Sequence, residues 1–134
     1  MSIEVTWFNE EKTAIHWVFE GDWVWADVEN AAARAEAMFA GVNHTVHSVI
    51  EFRGGRLLPA DFLSNVLGMF SRPAMSSPNA GLQILVDPPR SVSAIAGVVR
   101  KVSPQAREKL CVVASLDEAR ALAAGMGQTG GAQA

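Results

Sequence analysis

His44-Thr45-Val46-His47-Ser48-Val49-Ile50-Glu51-Phe52-Arg53-Gly54-Gly55-Arg56-Leu57-Leu58-Pro59-Ala60 is the stretch that decides the fold. Residues 44–53 read as a buried strand, dense in β-branched and aromatic side chains. Gly54 to Pro59 form a glycine-bearing crossing, and a helix begins near Ala60. A strand that hands its carboxyl end to a glycine turn and then to a helix amino terminus is a joint of α/β proteins. Their ligands and partners gather at that carboxyl edge. The helix from residue 60 to about 71 carries Phe62, Leu63, Val66, Leu67 and Phe70 on one stripe, with Pro59 fitting its entry and Pro73 its exit.

Upstream, residues 3–8 and 13–20 are two β-prone runs joined by Asn9-Glu10-Glu11-Lys12, a polar turn of hairpin length. In the second run Ile15, Trp17 and Phe19 share one face and Ala14, His16 and Val18 the other. Both faces are largely apolar, which places this strand inside the sheet. The first run, with Glu4 and Thr6 set between Ile3, Val5 and Trp7, reads as an edge strand. Gly21-Asp22 breaks the pattern, and a helix follows from about Val24 or Trp25 to Ala40, ended by Gly41 in a left-handed conformation.

Downstream, residues 81–87 form a fourth strand stopped by Pro88-Pro89. Residues 90–102 form a helix with Val92, Ile95, Ala96, Val99 and Val102 facing inward, ending near Ser103-Pro104. Residues 109–114 are the fifth strand. Ser115-Leu116-Asp117-Glu118 matches a capping box and starts a last helix running to about Ala124. The glycine-rich residues 125–134 are expected to be a disordered tail behind a single domain spanning residues 1–124. The element order is ββαβαβαβα: an α/β fold with a five-stranded, mostly parallel sheet, an antiparallel first strand and four helices.

The chain's 134 residues suffice for one domain with a real core, and 49% apolar against 19% charged residues indicates a globular protein. A net charge of −3, with no basic stripe, argues against a nucleic-acid partner. A single cysteine, Cys111 in a short apolar run, excludes an internal disulfide framework and reads as a small buried hydrophobe. Residues 1–11 lack a basic start and an apolar core, so no signal peptide is expected. No apolar run approaches the length of a membrane span, and a cytoplasmic location is expected.

Four groups of residues, in this element order, resemble the STAS domain, and more closely its STAS-like (SpoIIAA-like) variant group. They are Gly21-Asp22-Trp23-Val24-Trp25, Val49-Ile50-Glu51-Phe52, Leu57-Leu58-Pro59 and Ser115-Leu116-Asp117-Glu118-Ala119. The likeness covers about residues 3 to 124. It implies a non-enzymatic regulatory module that binds a protein partner. Regulatory STAS domains carry a phosphorylated serine at the start of the second helix. Here that turn reads Leu58-Pro59-Ala60-Asp61-Phe62 and has no hydroxyl, so the phosphorylation switch is expected to be absent. Asp61 imitates a fixed charge there, or merely suits the helix dipole. The related Sec14-like lipid carriers make a small-ligand or lipid-binding protein the alternative expectation.

Enzyme chemistry has little footing. His44 and His47 are three apart in a strand and point to opposite faces, so no metal is expected. No nucleophile motif occurs, Gly54-Gly55 lacks the lysine of a phosphate loop, and no cofactor is expected. Acids and bases do collect at strand carboxyl ends: Glu51 and Arg53, then Asp87 and Arg90. They mark a ligand edge or simple ion pairs that hold loops. Trp17 and Trp25 are assigned to the core. Trp7 on its edge strand and Trp23 on its turn are candidates for a partner surface, including a homodimer formed through the edge strand.

Overall fold

A computed structural model describes residues 2–21, 23–53, 62, 64–65 and 79–129. The described elements are β1 (Ser2–Trp7), β2 (Ala14–Glu20), α1 (Trp25–Ala40), β3 (Val46–Arg53) and β4 (Ala80–Val86). After them come α2 (Arg90–Val102), α3 (Pro104–Lys109), β5 (Leu110–Val113) and α4 (Leu116–Thr129). The sheet runs in chain order, β1-β2-β3-β4-β5, with β1 antiparallel to β2 and every other pair parallel. The fold is thus the expected α/β type. Of the expected helix over residues 60–71, Phe62, Ser64 and Asn65 are described and helical; its other residues, Asp61 included, lie outside the described residues.

The alternation along β2 sorts the core into two layers. Ile15, Trp17 and Phe19 face α1 and join Ile3, Val28, Ala31, Ala35 and Val46. Under α2, the same sheet face continues as Leu85 and Leu110, packed against Val92, Ala96 and Val99 of the helix. Ile50, Phe52 and Ile95 pack against both groups and make one continuous layer. On the opposite face, Ala119 and Ala123 of α4 lie against Ala14, Val49, Ile84 and Val86. Alanines four apart give that helix a flat stripe that sits close to the strands. Each fully buried valine, leucine or isoleucine contributes roughly 1.5–3 kcal/mol, so these layers supply most of the drive to fold.

Local chemistry fixes the joints. The hairpin turn closes through Asn9, whose Oδ1 accepts from the Thr13 amide at 3.0 Å, with Lys12 at φ 59°. The amide of Val24 donates to the Asp27 carboxylate at 3.0 Å at the start of α1. At α4 the Glu118 amide donates to Ser115 Oγ at 3.2 Å, while Glu118 Oε1 accepts from the Ala114 amide at 2.8 Å. This is the expected capping box, with the carboxylate reaching one residue further back.

Several expectations are corrected. Gly41 ends α1 in a right-handed conformation, φ −78°, not a left-handed one. The carbonyls of Phe39 and Val42 are instead taken by the side-chain amide of Asn79, at 2.9 and 3.4 Å. The short helix α3 was not foreseen: Ser103 Oγ accepts from the Ala106 amide at 3.2 Å, and Pro104 stands at its first position. Val102 is 59% exposed at the last position of α2 and not in the core. The last helix continues to Thr129, so residues 125–129 are helical and not part of a tail; residues 130–134 lie outside the described residues.

One irregularity shapes the centre of the sheet. Val46 pairs with Ala80 but Ser48 pairs with Gln83, so β4 carries one extra residue opposite His47. The His47 ring, 2% exposed, fills the gap, and its Nδ1 accepts the Leu82 amide at 2.9 Å. A Cβ on Gly81 would stand 2.3 Å from that same Nδ1. Glycine is required here by the ring, not by its own backbone angle.

Candidate functional site

Between the sheet and helices α1 and α2 lies a cavity of about 140 Å³. Its aromatic walls are Trp17, Phe19, Trp25, Phe52 and Phe62, and its aliphatic walls include Ile50, Leu85 and Ile95. These walls follow from the strand period: Trp17 and Phe19 lie on the helix-facing side of β2, and Ile50 and Phe52 lie beside them on β3. Aromatic side chains meet edge to face around Phe62. Trp25 and Phe62 are 5.9 Å apart between ring centroids, and Trp23 and Phe62 are 5.6 Å apart.

Polar groups in this lining are few. Ser48 and Gln83 are register partners on adjacent strands, so their side chains stand side by side on the floor. Glu36 of α1 is the one charged side chain in the lining among the described residues. The indole N–H groups of Trp17 and Trp25, both on side chains that line the cavity, find no acceptor among the described residues. A buried donor left without a partner costs roughly 1–3 kcal/mol.

The opposite sheet face holds a polar cluster. His16 Nε2 lies 3.0 Å from Glu51 Oε1, which also accepts from Arg53 Nη2 at 3.1 Å. Phe8 packs edge-on to the His16 ring at 5.3 Å, and the Arg120 guanidinium lies 5.2 Å from the Phe8 ring. The cluster ties β2, β3, the hairpin and α4 together. Among the described residues no group of three His, Cys, Asp or Glu has the arrangement to hold a metal ion. Cys111 is half-buried, and burial pushes its thiol above the ordinary value, with Arg100 opposing. That is the behaviour of a packed hydrophobe.

The candidate residues named from the sequence fall in different places. Glu51 and Arg53 form the expected ion pair, on the face away from the cavity. Asp87 and Arg90 are exposed and make no ion pair with each other; Asp87 sits at φ 42° with its amide bonded to the Val113 carbonyl at 2.8 Å. Asp61 lies outside the described residues. Trp23 is a correction: at 6% exposure, and packed against Phe19, it is core and offers no open surface. Trp7 is half-buried against the same core, with Lys12 Nζ 5.6 Å from its ring. β1 is indeed a sheet edge, but Arg34 Nη2 donates to the Ile3 carbonyl at 2.7 Å and occupies part of it.

The residues missed from the sequence are Ser48 and Gln83. Gln83 is the lone polar side chain of β4 and Ser48 one of several in β3, and their pairing becomes visible only with the register. Searches against family models, curated proteins and solved structures gave no match. Among the described residues no helix is long and apolar enough to cross a membrane.

Proposed function

We propose that this chain is a non-enzymatic binding module, the class its STAS-like element order implies, and that its cavity takes a small apolar molecule. The observation that carries this reading is the apolar, aromatic-walled cavity of about 140 Å³ between the sheet and two helices. Apolar cavities of about 150 Å³ stay dry and accept benzene, so the size suits a molecule of one ring. Aromatic walls add edge-to-face contacts of about 0.5–1.5 kcal/mol each. No hydroxyl stands at the turn around Asp61, which fits regulation by a ligand better than by phosphorylation.

Thermal unfolding with and without toluene tests the reading. A ligand that binds only the folded chain at a hundred times its Kd adds about 2.7 kcal/mol. The midpoint then rises by several degrees for a domain of this size. A midpoint that toluene leaves unmoved defeats it. A second reading, a regulatory module that binds a protein partner or a second copy, draws on Val98 and Val102. They lie four apart on one side of α2 and are 43% and 59% exposed.

A further inference from the structure

We infer that the preferred ligand is a neutral one-ring molecule that carries a hydroxyl, phenol being the simplest member. The inference rests on the apolar-ligand reading above and names the ligand's polar group. The floor of the cavity sets that group. Ser48 and Gln83 line it from adjacent strands, and they meet only through the irregularity between β3 and β4. In the register begun by Val46 and Ala80, Ser48 would oppose Leu82; the extra residue in β4 brings Gln83 there instead. Ser48 is 1% exposed, and among the described residues neither its hydroxyl nor the half-buried Gln83 amide has a side-chain hydrogen bond. The indole nitrogens of Trp17 and Trp25 are sealed in the core; the Ser48 oxygen is not, and the cavity is the space beside it. Buried polar groups are almost always paired, so this floor calls for a guest that pairs with it.

Each of the two groups both gives and accepts a hydrogen bond. A ligand hydroxyl does the same: its proton goes to one group while its oxygen accepts from the other. A carbonyl only accepts, and it would leave the Gln83 oxygen with nothing to take. Lysine, arginine and histidine are missing from the lining among the described residues, and Glu36 is its one charge. A carboxylate would therefore enter unpaired and in the company of a like charge. The aromatic walls, around a volume near that of a benzene-sized guest, limit the rest of the ligand to one ring.

The test is calorimetric titration of the full chain with phenol and with toluene, which carries a methyl where phenol has its hydroxyl. A cavity apolar throughout would take that hydroxyl without a partner and bind phenol about tenfold more weakly than toluene, or weaker still. With Ser48 and Gln83 on the floor, phenol is expected to bind at least as tightly as toluene. Ser48→Ala and Gln83→Leu each remove one partner. Both change the wall, so each affinity is free to move and only the phenol-to-toluene ratio is read; it should fall about tenfold against phenol in either variant. Weaker binding of phenol than of toluene to the native chain overturns the inference while the apolar-ligand reading stands. So does a ratio that either variant leaves unmoved, or tighter binding of benzaldehyde or benzoate than of phenol. Binding of none of the four overturns the inference together with the reading it rests on.

Discussion

Replacing Gly81 with alanine tests the strand bulge that seats His47. The added Cβ would meet His47 Nδ1 at 2.3 Å, His47 Cε1 at 2.7 Å and Thr45 Cγ2 at 2.9 Å. The ring has no free volume to move into, being 2% exposed, and it is tied by the Leu82 amide at 2.9 Å. Expelling it leaves that amide without its acceptor, a loss of about 1–3 kcal/mol. Overpacking adds about 1–3 kcal/mol more. With some relaxation of the bulge, the variant should lose about 2–4 kcal/mol, a large share of the 5–15 kcal/mol typical of a domain. Urea unfolding followed by circular dichroism reads this as a lower midpoint at unchanged slope. The cause is separated by making the same change in a His47→Ala background. With the ring gone, only Thr45 Cγ2 at 2.9 Å still crowds the added Cβ, so Gly81→Ala should cost much less than in the native chain, giving a coupling energy of about 2 kcal/mol. A single variant that loses under about 0.5 kcal/mol, or an equal loss in both backgrounds, refutes the reasoning.

Burial lowers the pKa of His47 below its ordinary 6.5, so the native ring stays neutral where the unfolded one takes a proton. Stability from this residue is therefore full above pH 6.5 and falls as the pH drops from there towards the native pKa, by up to about 1.4 kcal/mol per pH unit. Denaturant midpoints for His47→Gln should lack that part of the slope, and an identical slope would contradict the assignment. Ser115→Ala removes the acceptor for the Glu118 amide and should cost about 1 kcal/mol, seen as a fall of a few degrees in Tm. Arg34→Ala uncovers the Ile3 carbonyl on the open edge of β1 and should raise the dimer fraction in sedimentation; a monomer as firm as the native chain would show that Arg34 does not guard the edge.

Much of the architecture is legible in the residues, because it depends on local periodicity and turn chemistry. The alternation of Ile15, Trp17 and Phe19 with Ala14, His16 and Val18 assigns both faces of β2. Pro88-Pro89 and Ser115 with Glu118 mark where β4 stops and α4 begins. What escapes is whatever depends on a tertiary neighbour. Trp23 sits on a turn, where sequence alone favours exposure, yet Phe19 and Phe62 enclose it. Gly41 has the right residue for a left-handed cap, but its amide reaches the Ala37 and Met38 carbonyls from a right-handed conformation, while Asn79, far along the chain, holds the end of the helix through the Phe39 and Val42 carbonyls. The cavity is the extreme case. Ser48 and Gln83 become a pair only through the shifted register of β3 and β4, and that shift is made by His47 and Gly81. The candidate site named from the sequence, the acids and bases at the strand ends, is split between the polar sheet face and the exposed end of β4. The cavity is built from residues that hydrophobic pattern assigns simply to the core.

The account's central claim is that the core holds a ligand-sized apolar cavity, and nuclear Overhauser effects between bound toluene and the protein test it most directly. At millimolar toluene, with Kd of about 0.1–1 mM (−5.5 to −4.1 kcal/mol), a large fraction of the chain is occupied. Cross-peaks should then link the ligand to indole ring protons of Trp17 and Trp25. None should reach Trp7, which lies outside the cavity lining. Cross-peaks to Trp7 alone, or no cross-peak to any indole at saturating toluene, would contradict the account.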